Sequence, residues 1–233
     1  MTVMDTTTRT PAPVGEGLAS LLARMPEHAR RAAMAEGPLG DPRRETPAEV
    51  HARVTAQAAN RAKRWREALP VMFAQAALAQ IPPDTRAGVS AWLADDDALT
   101  LGLAGDVGVG KTHTAYATAN AQVAAGRWVE AWTLHGLLAA MRPDADPRAY
   151  DRATTCGVLL LDDFGATKAS DWAQETMTAL MDARLNNHLR TIITTNNTYA
   201  DLAEVWNARL MDRLQYRASW VVMRGESRRR PTW

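Results

Sequence analysis

Leu99-Thr100-Leu101-Gly102-Leu103-Ala104 runs straight into Gly105-Asp106-Val107-Gly108-Val109-Gly110-Lys111-Thr112, an apolar stretch followed by G-x-x-x-x-G-K-T. Thr114–Ala125 (TAYATANAQVAA) then reads as an alanine-rich helix. A strand, a glycine loop and a helix in that order make a phosphate cradle, where the same loop alone would be a turn with an exposed lysine. Glycines at 105, 108 and 110 let backbone N–H groups turn inward without a Cβ clash, and the helix start adds unpaired donors and a positive dipole end. Asp106, Val107 and Val109 fill the loop between them, and His113 follows it. Lys111 is placed to reach the β- and γ-phosphates and the Thr112 hydroxyl to take a position on Mg²⁺. The stretch points to ATP or GTP.

Outward from the loop, four further apolar runs have strand character: 127–133, 157–162, 190–195 and 219–223, separated by helical stretches. Such β/α alternation predicts a parallel sheet covered on both faces. The run Val158-Leu159-Leu160-Leu161-Asp162-Asp163 ends in two carboxylates. In an open parallel sheet the ligand sits at the carboxyl ends of the strands, so Asp162 is expected to organise the Mg²⁺ shell and Asp163 to orient or deprotonate an attacking water. Thr194-Thr195-Asn196-Asn197 closes the next strand, with Asn196 either holding that water or only turning the chain. Arg209 and Arg213 lie one helical turn apart in RLMDRL, a solvated pair or a pair able to reach a neighbour's γ-phosphate. Gly225-Glu226-Ser227-Arg228-Arg229 follows the last strand, as a basic tail or as a source of an arginine for the bound nucleotide.

Together GKTH, LLLDDFG, IITTN, RLMDRL and GESRR, in this order, resemble the AAA+ ATPases of the DnaC and IstB group over about Leu69 to Arg229. Asp171-Trp172 and Arg184 add to the likeness. The resemblance implies an α/β P-loop domain with a five-stranded parallel sheet of order 5-1-4-3-2 and a reduced or absent C-terminal lid. It implies Asn196 as the sensor, Arg213 as the arginine acting on a neighbour, Arg209 beside it, and Arg229 as a contact to the nucleotide. Relatives often carry Glu where Asp163 stands, one methylene longer, which implies slow hydrolysis. DnaC-like proteins load a DnaB-type replicative helicase on single-stranded DNA, and IstB-like proteins assist a transposase on duplex DNA. Self-association and ATP with Mg²⁺ are implied in both cases. A small-molecule kinase or an ATP-gated adaptor with little hydrolysis would use the same cradle.

The 233 residues suit one α/β domain with an N-terminal addition. Net charge is +1, with basic ends and a more acidic middle. A single cysteine, Cys156, excludes an internal disulfide, and no apolar run approaches a membrane span, so a reducing, cytoplasmic setting is expected. Residues 1–45, rich in Thr, Pro, Gly and Ala, read as a flexible arm with a short helix. Thr46-Pro47-Ala48-Glu49 opens an amphipathic helix over 46–69 whose stripe of Val50, Val54, Ala58, Ala62, Trp65 and Leu69 needs a partner, either this chain's own ATPase domain (70–233) or a groove on another protein. VMFAQAALAQ (71–80) reads as a second helix, HGLLAAMR (135–142) as another and 143–156 as a loop. In the section after the second strand Arg142, Arg148 and Arg152 accompany Tyr150, a combination suited to single-stranded DNA or to plain surface.

Overall fold

The computed structural model describes residues 47–142, 144–165 and 169–228. The expected arm over 1–45 and Arg229 lie outside the described residues. The chain divides into two units, Met1–Ala52 and Arg53–Trp233, and the sheet and the candidate site belong to the second. Among the described residues there are five strands and eight helices: α1 (Pro47–Ala68), α2 (Pro83–Ala94), β1 (Thr100–Gly105), α3 (Lys111–Ala124), β2 (Val129–Thr133), α4 (Leu134–Ala140), α5 (Ala149–Thr155), β3 (Val158–Asp162), α6 (Asp171–Asn186), β4 (Arg190–Thr195), α7 (Tyr199–Val205), α8 (Ala208–Gln215) and β5 (Ala218–Met223). No described helix is long and apolar enough to cross a membrane.

The strands lie in the order β2-β3-β4-β1-β5, the expected 5-1-4-3-2 arrangement. All four ladders are parallel, with Thr100 opposite both Thr191 and Ala218, and Val158 opposite both Arg190 and Val129. The apolar runs of β3 and β4 are buried on both faces, as a central parallel strand requires. One face meets α2 and α3, where Trp92, Leu101, Leu103 and Ala115 share a core. The other meets α6, α7 and α8, where Leu159, Leu161, Met177 and Leu210 share a second. Alanine at 115, 117 and 119 brings α3 close to the sheet.

The two ends of α1 differ. Val54 is 53% exposed, whereas Trp65 is buried, donates from Nε1 to Asn120 Oδ1 at 2.7 Å and lies 6.0 Å from the Tyr116 ring. The lower part of the stripe therefore packs on this chain's own domain. The helix expected over 71–80 is not formed. Two short 3₁₀ turns, Val71–Phe73 and Leu78–Gln80, take its place. Asn120 Nδ2 donates to the carbonyls of Phe73 and Ala76, and Phe73 stacks on Tyr116 at 4.5 Å, so tertiary partners capture groups that a helix would have paired internally. The loop expected over 143–156 is likewise corrected, since it folds over Ala149–Thr155 into α5 against α6.

Candidate nucleotide site

β1 delivers the loop and α3 receives it. Gly105, Gly108 and Gly110 have φ of 150°, 90° and 101°, and Gly110 is the residue before the first turn of α3. At two of them packing also forbids a side chain. A Cβ on Gly105 would sit 2.2 Å from Met223 O, and one on Gly108 would sit 2.1 Å from Ser227 Oγ. The residues after β5 thus lie directly against the loop, and Arg228 N–H donates to Gly108 O at 2.9 Å. Lys111, 7% exposed, bends back over the loop and donates from Nζ to Gly105 O and Asp106 O, each at 2.7 Å. This is a cradle fitted to phosphate: glycine backbone that only glycine can adopt, an ammonium held over it, and the open end of a helix.

Beside the loop, β3 and β4 bring their carboxyl ends together. Asp162 Oδ1 accepts from Thr112 Oγ1 at 3.0 Å and from Thr194 Oγ1 at 2.6 Å. Thr194 Oγ1 in turn accepts from Asp163 N–H at 2.9 Å. Asp163 stands in the left-handed region at φ 57°, and Asn196 Nδ2 faces its Oδ1 at 3.4 Å. One hydroxyl, on Thr194, therefore joins the Asp162 carboxylate to the Asp163 backbone N–H. Thr194 is not among the site residues expected from the sequence. Its signal was available, because a threonine one position before the strand end faces the neighbouring strand's last residue in a parallel ladder.

His113 sits partly buried behind the loop, where burial and then the nearby Arg228 guanidinium hold its imidazole below the ordinary value. Within the described part of the 225–229 segment, Arg228 joins Ser227 against the cradle: its side chain reaches to 3.6 Å of the position a Cβ on Gly110 would take. A cavity of about 490 Å³ opens on the other side of the loop, lined by Gly105, Asp106, Asn196, Tyr199, Trp220 and Arg224 among others. Thr112 and Asp162 are the oxygen donors that could hold a cation. Among the described residues no cluster of three or more His, Cys, Asp or Glu is built to hold a metal unaided. A hydroxyl and a carboxylate oxygen side by side suit Mg²⁺, which keeps several waters and takes the rest of its ligands from phosphate.

Arg209 and Arg213 lie elsewhere. Both donate to one carboxylate, Arg209 Nη2 to Asp182 Oδ2 and Arg213 Nε to Asp182 Oδ1, and the Arg213 hydrogen bond foremost holds Asp182 below the usual carboxylate range. Arg213 borders a cavity of about 340 Å³ with Leu99, His188 and Tyr216, residues that precede β1, β4 and β5. The pair is thus at the amino end of the sheet, a strand length of roughly 20 Å from this chain's own loop. The four residues expected to touch DNA are not alike either. Arg142, Arg148 and Tyr150 are exposed, but Arg152 is committed to Asp146 at 2.9 Å and Glu130 at 3.5 Å and lies over the Trp132 ring, which removes it as a free cation.

Arg184, quoted in the sequence only as part of a likeness, is fully buried and structural. Its guanidinium donates to the carbonyls of Ala153, Cys156 and Arg190 and to Thr191 Oγ1, closing the end of α5 onto the start of β4.

The family model of the IstB-like ATP-binding proteins matches residues 73–232. No curated protein matches the chain. Among solved structures, a DnaI is similar at 23% identity with a TM-score of 0.62, over 70% of this chain and 95% of that one. A DnaC helicase loader is similar at 24% identity with a TM-score of 0.58, over 66% of this chain and all of that one. A proposed primosome component from Streptococcus pyogenes serotype M3 is similar at 23% identity with a TM-score of 0.59, over 70% and 93%. At these identities the structures show a shared fold. With its cradle, its paired acids and a family match over more than half of its length, the chain belongs to the IstB-like ATP-binding family.

Proposed function

We propose that this chain is an ATP-hydrolysing loader that engages a DnaB-type replicative helicase through its N-terminal region and sets it on single-stranded DNA. The observation that carries the enzymatic part is the Thr112–Asp162–Thr194–Asp163 chain of hydrogen bonds beside the Lys111 loop. It joins the cation donors to the backbone of the base candidate. Lys111 and the loop N–H groups would hold the phosphates, and Thr112 and Asp162 would hold Mg²⁺, which neutralises charge on the transferred phosphoryl group. Asp163, aimed by its left-handed backbone and faced by Asn196, would orient the water and take its proton.

Arg213 is too far from its own loop to serve it, and in a ring or filament of copies it would leave Asp182 for the phosphates of the next chain, with Arg209 beside it. Arg228, bonded to the loop through its backbone N–H, would stand beside Arg229 as a source of the expected nucleotide contact. Arg142, Arg148 and Tyr150 would meet the DNA strand. The likeness to the solved chain of a DnaC helicase loader supports the helicase as cargo. The IstB-like family match supports the second reading, a transposase helper on duplex DNA, and a short Asp163 supports a slow, gating hydrolysis. A setting in the cytoplasm accompanies either reading.

Pull-down from the native cell with ATP present separates the two, since a replicative helicase or a transposase would be retained. Single-turnover hydrolysis by wild type, Lys111→Ala and Asp163→Asn tests the chemistry. Equal, negligible rates in all three would remove hydrolysis from the proposal.

A further inference from the structure

A groove of about 680 Å³ runs between the second half of α1 and β2, and no residue of the phosphate loop lines it. β2 is an edge strand whose single ladder is with β3. Val158 N–H donates to Trp128 O, so residues 128, 130 and 132 turn their backbone groups to β3, and Val129 and Ala131 turn theirs outward along the groove. The side chains of Trp128, Glu130 and Trp132 share one face of the strand. Trp128 Nε1 donates to Glu130 Oε1 at 3.1 Å and Arg152 pairs with the same carboxylate, so the acid is already neutralised. Arg61 lies 5.4 Å over the Trp128 ring, and neither it nor Arg64 has a carboxylate partner among the described residues. The buried indole N–H of Trp132 has no acceptor among the described residues. Directly after Pro70 in the groove wall, Val71 and Met72 are 92% and 77% exposed.

We propose that this groove docks an extended acidic segment of a partner protein, which adds to β2 as a further strand and sets its carboxylates against Arg61 and Arg64. An outward strand edge presents donors and acceptors alternately, and a second peptide backbone matches both. A phosphodiester backbone offers acceptors only and would leave the outward carbonyls of Val129 and Ala131 unmet. The apolar lining that Leu69, Pro70 and Trp128 give the groove fits the apolar positions of an alternating peptide. The site neither uses nor requires the nucleotide, and the inference does not rest on the helicase or transposase reading.

The test uses the full chain and a fluorescein-labelled peptide of about twelve residues alternating Glu and Val, read by anisotropy. Binding of this peptide, with at least tenfold weaker binding of the Lys and Val counterpart, is expected. Arg61→Glu with Arg64→Glu reverses that preference while leaving ATP-analogue binding intact. Ala131→Pro removes one outward N–H and keeps the β3 ladder, so it should abolish peptide binding with the melting temperature unchanged. If Ala131→Pro does not fold, the charge reversal, at two exposed positions, still decides. No binding of the Glu and Val peptide, equal binding of both peptides, or a labelled oligothymidylate that binds here and is lost in the Arg61→Glu, Arg64→Glu variant while the peptide is not, overturns the proposal.

Discussion

Gly108→Ala tests the link between the phosphate loop and the segment that follows β5. Gly108 has φ 90°, a region that costs an alanine about 1–2 kcal/mol. The added Cβ would lie 2.1 Å from Ser227 Oγ and 2.8 Å from Ser227 Cβ, so the segment must move and the Arg228 N–H bond to Gly108 O is lost, about 1 kcal/mol more. If these costs fall on the binding-competent loop, about 2–3 kcal/mol lowers nucleotide affinity by roughly 30- to 150-fold. The measurement is titration of a fluorescent ATP analogue against wild type, Gly108→Ala and Gly108→Ala with Ser227→Gly. The second substitution removes the clash and leaves the backbone cost, so it should recover part of the affinity. A single variant that binds within threefold of wild type, or a double variant no better than the single, would show that the Ser227 segment does not brace the loop.

Arg184→Met leaves several buried carbonyls without a donor and should cost about 3–5 kcal/mol in urea unfolding, with the unfolding slope unchanged. Cys156 is buried and its thiol is pushed up to about 11, so a thiol reagent at pH 8 should label it only as the fold opens. Because the unfolded thiol ionises near 9 and the folded one does not, this group withdraws stability as pH rises from 9 toward 11, and Cys156→Ser should flatten that limb. His113 works at the other end: its folded value lies below 6.5, the unfolded chain takes up the proton first, and stability should fall as pH drops through 6.5, less so in His113→Gln, as read by melting temperature. Asp182→Asn loosens the fork holding Arg209 and Arg213; it should change the hydrolysis rate of the assembled protein and leave analogue binding by the single chain unchanged.

The fold was largely legible because its signals are contiguous. A strand, glycine loop and helix follow one another within residues 99–125, and four more apolar runs alternate with helical stretches, which suffices for a parallel sheet. The strand order came with the family resemblance, since periodicity says nothing about which strands are neighbours. Where local pattern and tertiary partners competed, pattern lost. VMFAQAALAQ has helical composition, but Asn120 and Tyr116, more than forty residues on, claim its carbonyls and its phenylalanine.

What the sequence by itself determined is which groups make up the candidate site: a lysine, a threonine, two acids at a strand end and glycines where only glycine fits. The tertiary structure alone decided how they are coupled. Thr194 joins Asp162 to Asp163 because parallel pairing sets the ends of β3 and β4 side by side. Ser227 and Arg228 reach Gly108 because β5 pairs with β1 and returns the chain to the loop. Arg152 is spent on carboxylates, and Arg213 stands a strand length from its own cradle, for the same reason: hydrogen bonds and charge act over a few ångströms, and those distances are set by packing across the chain.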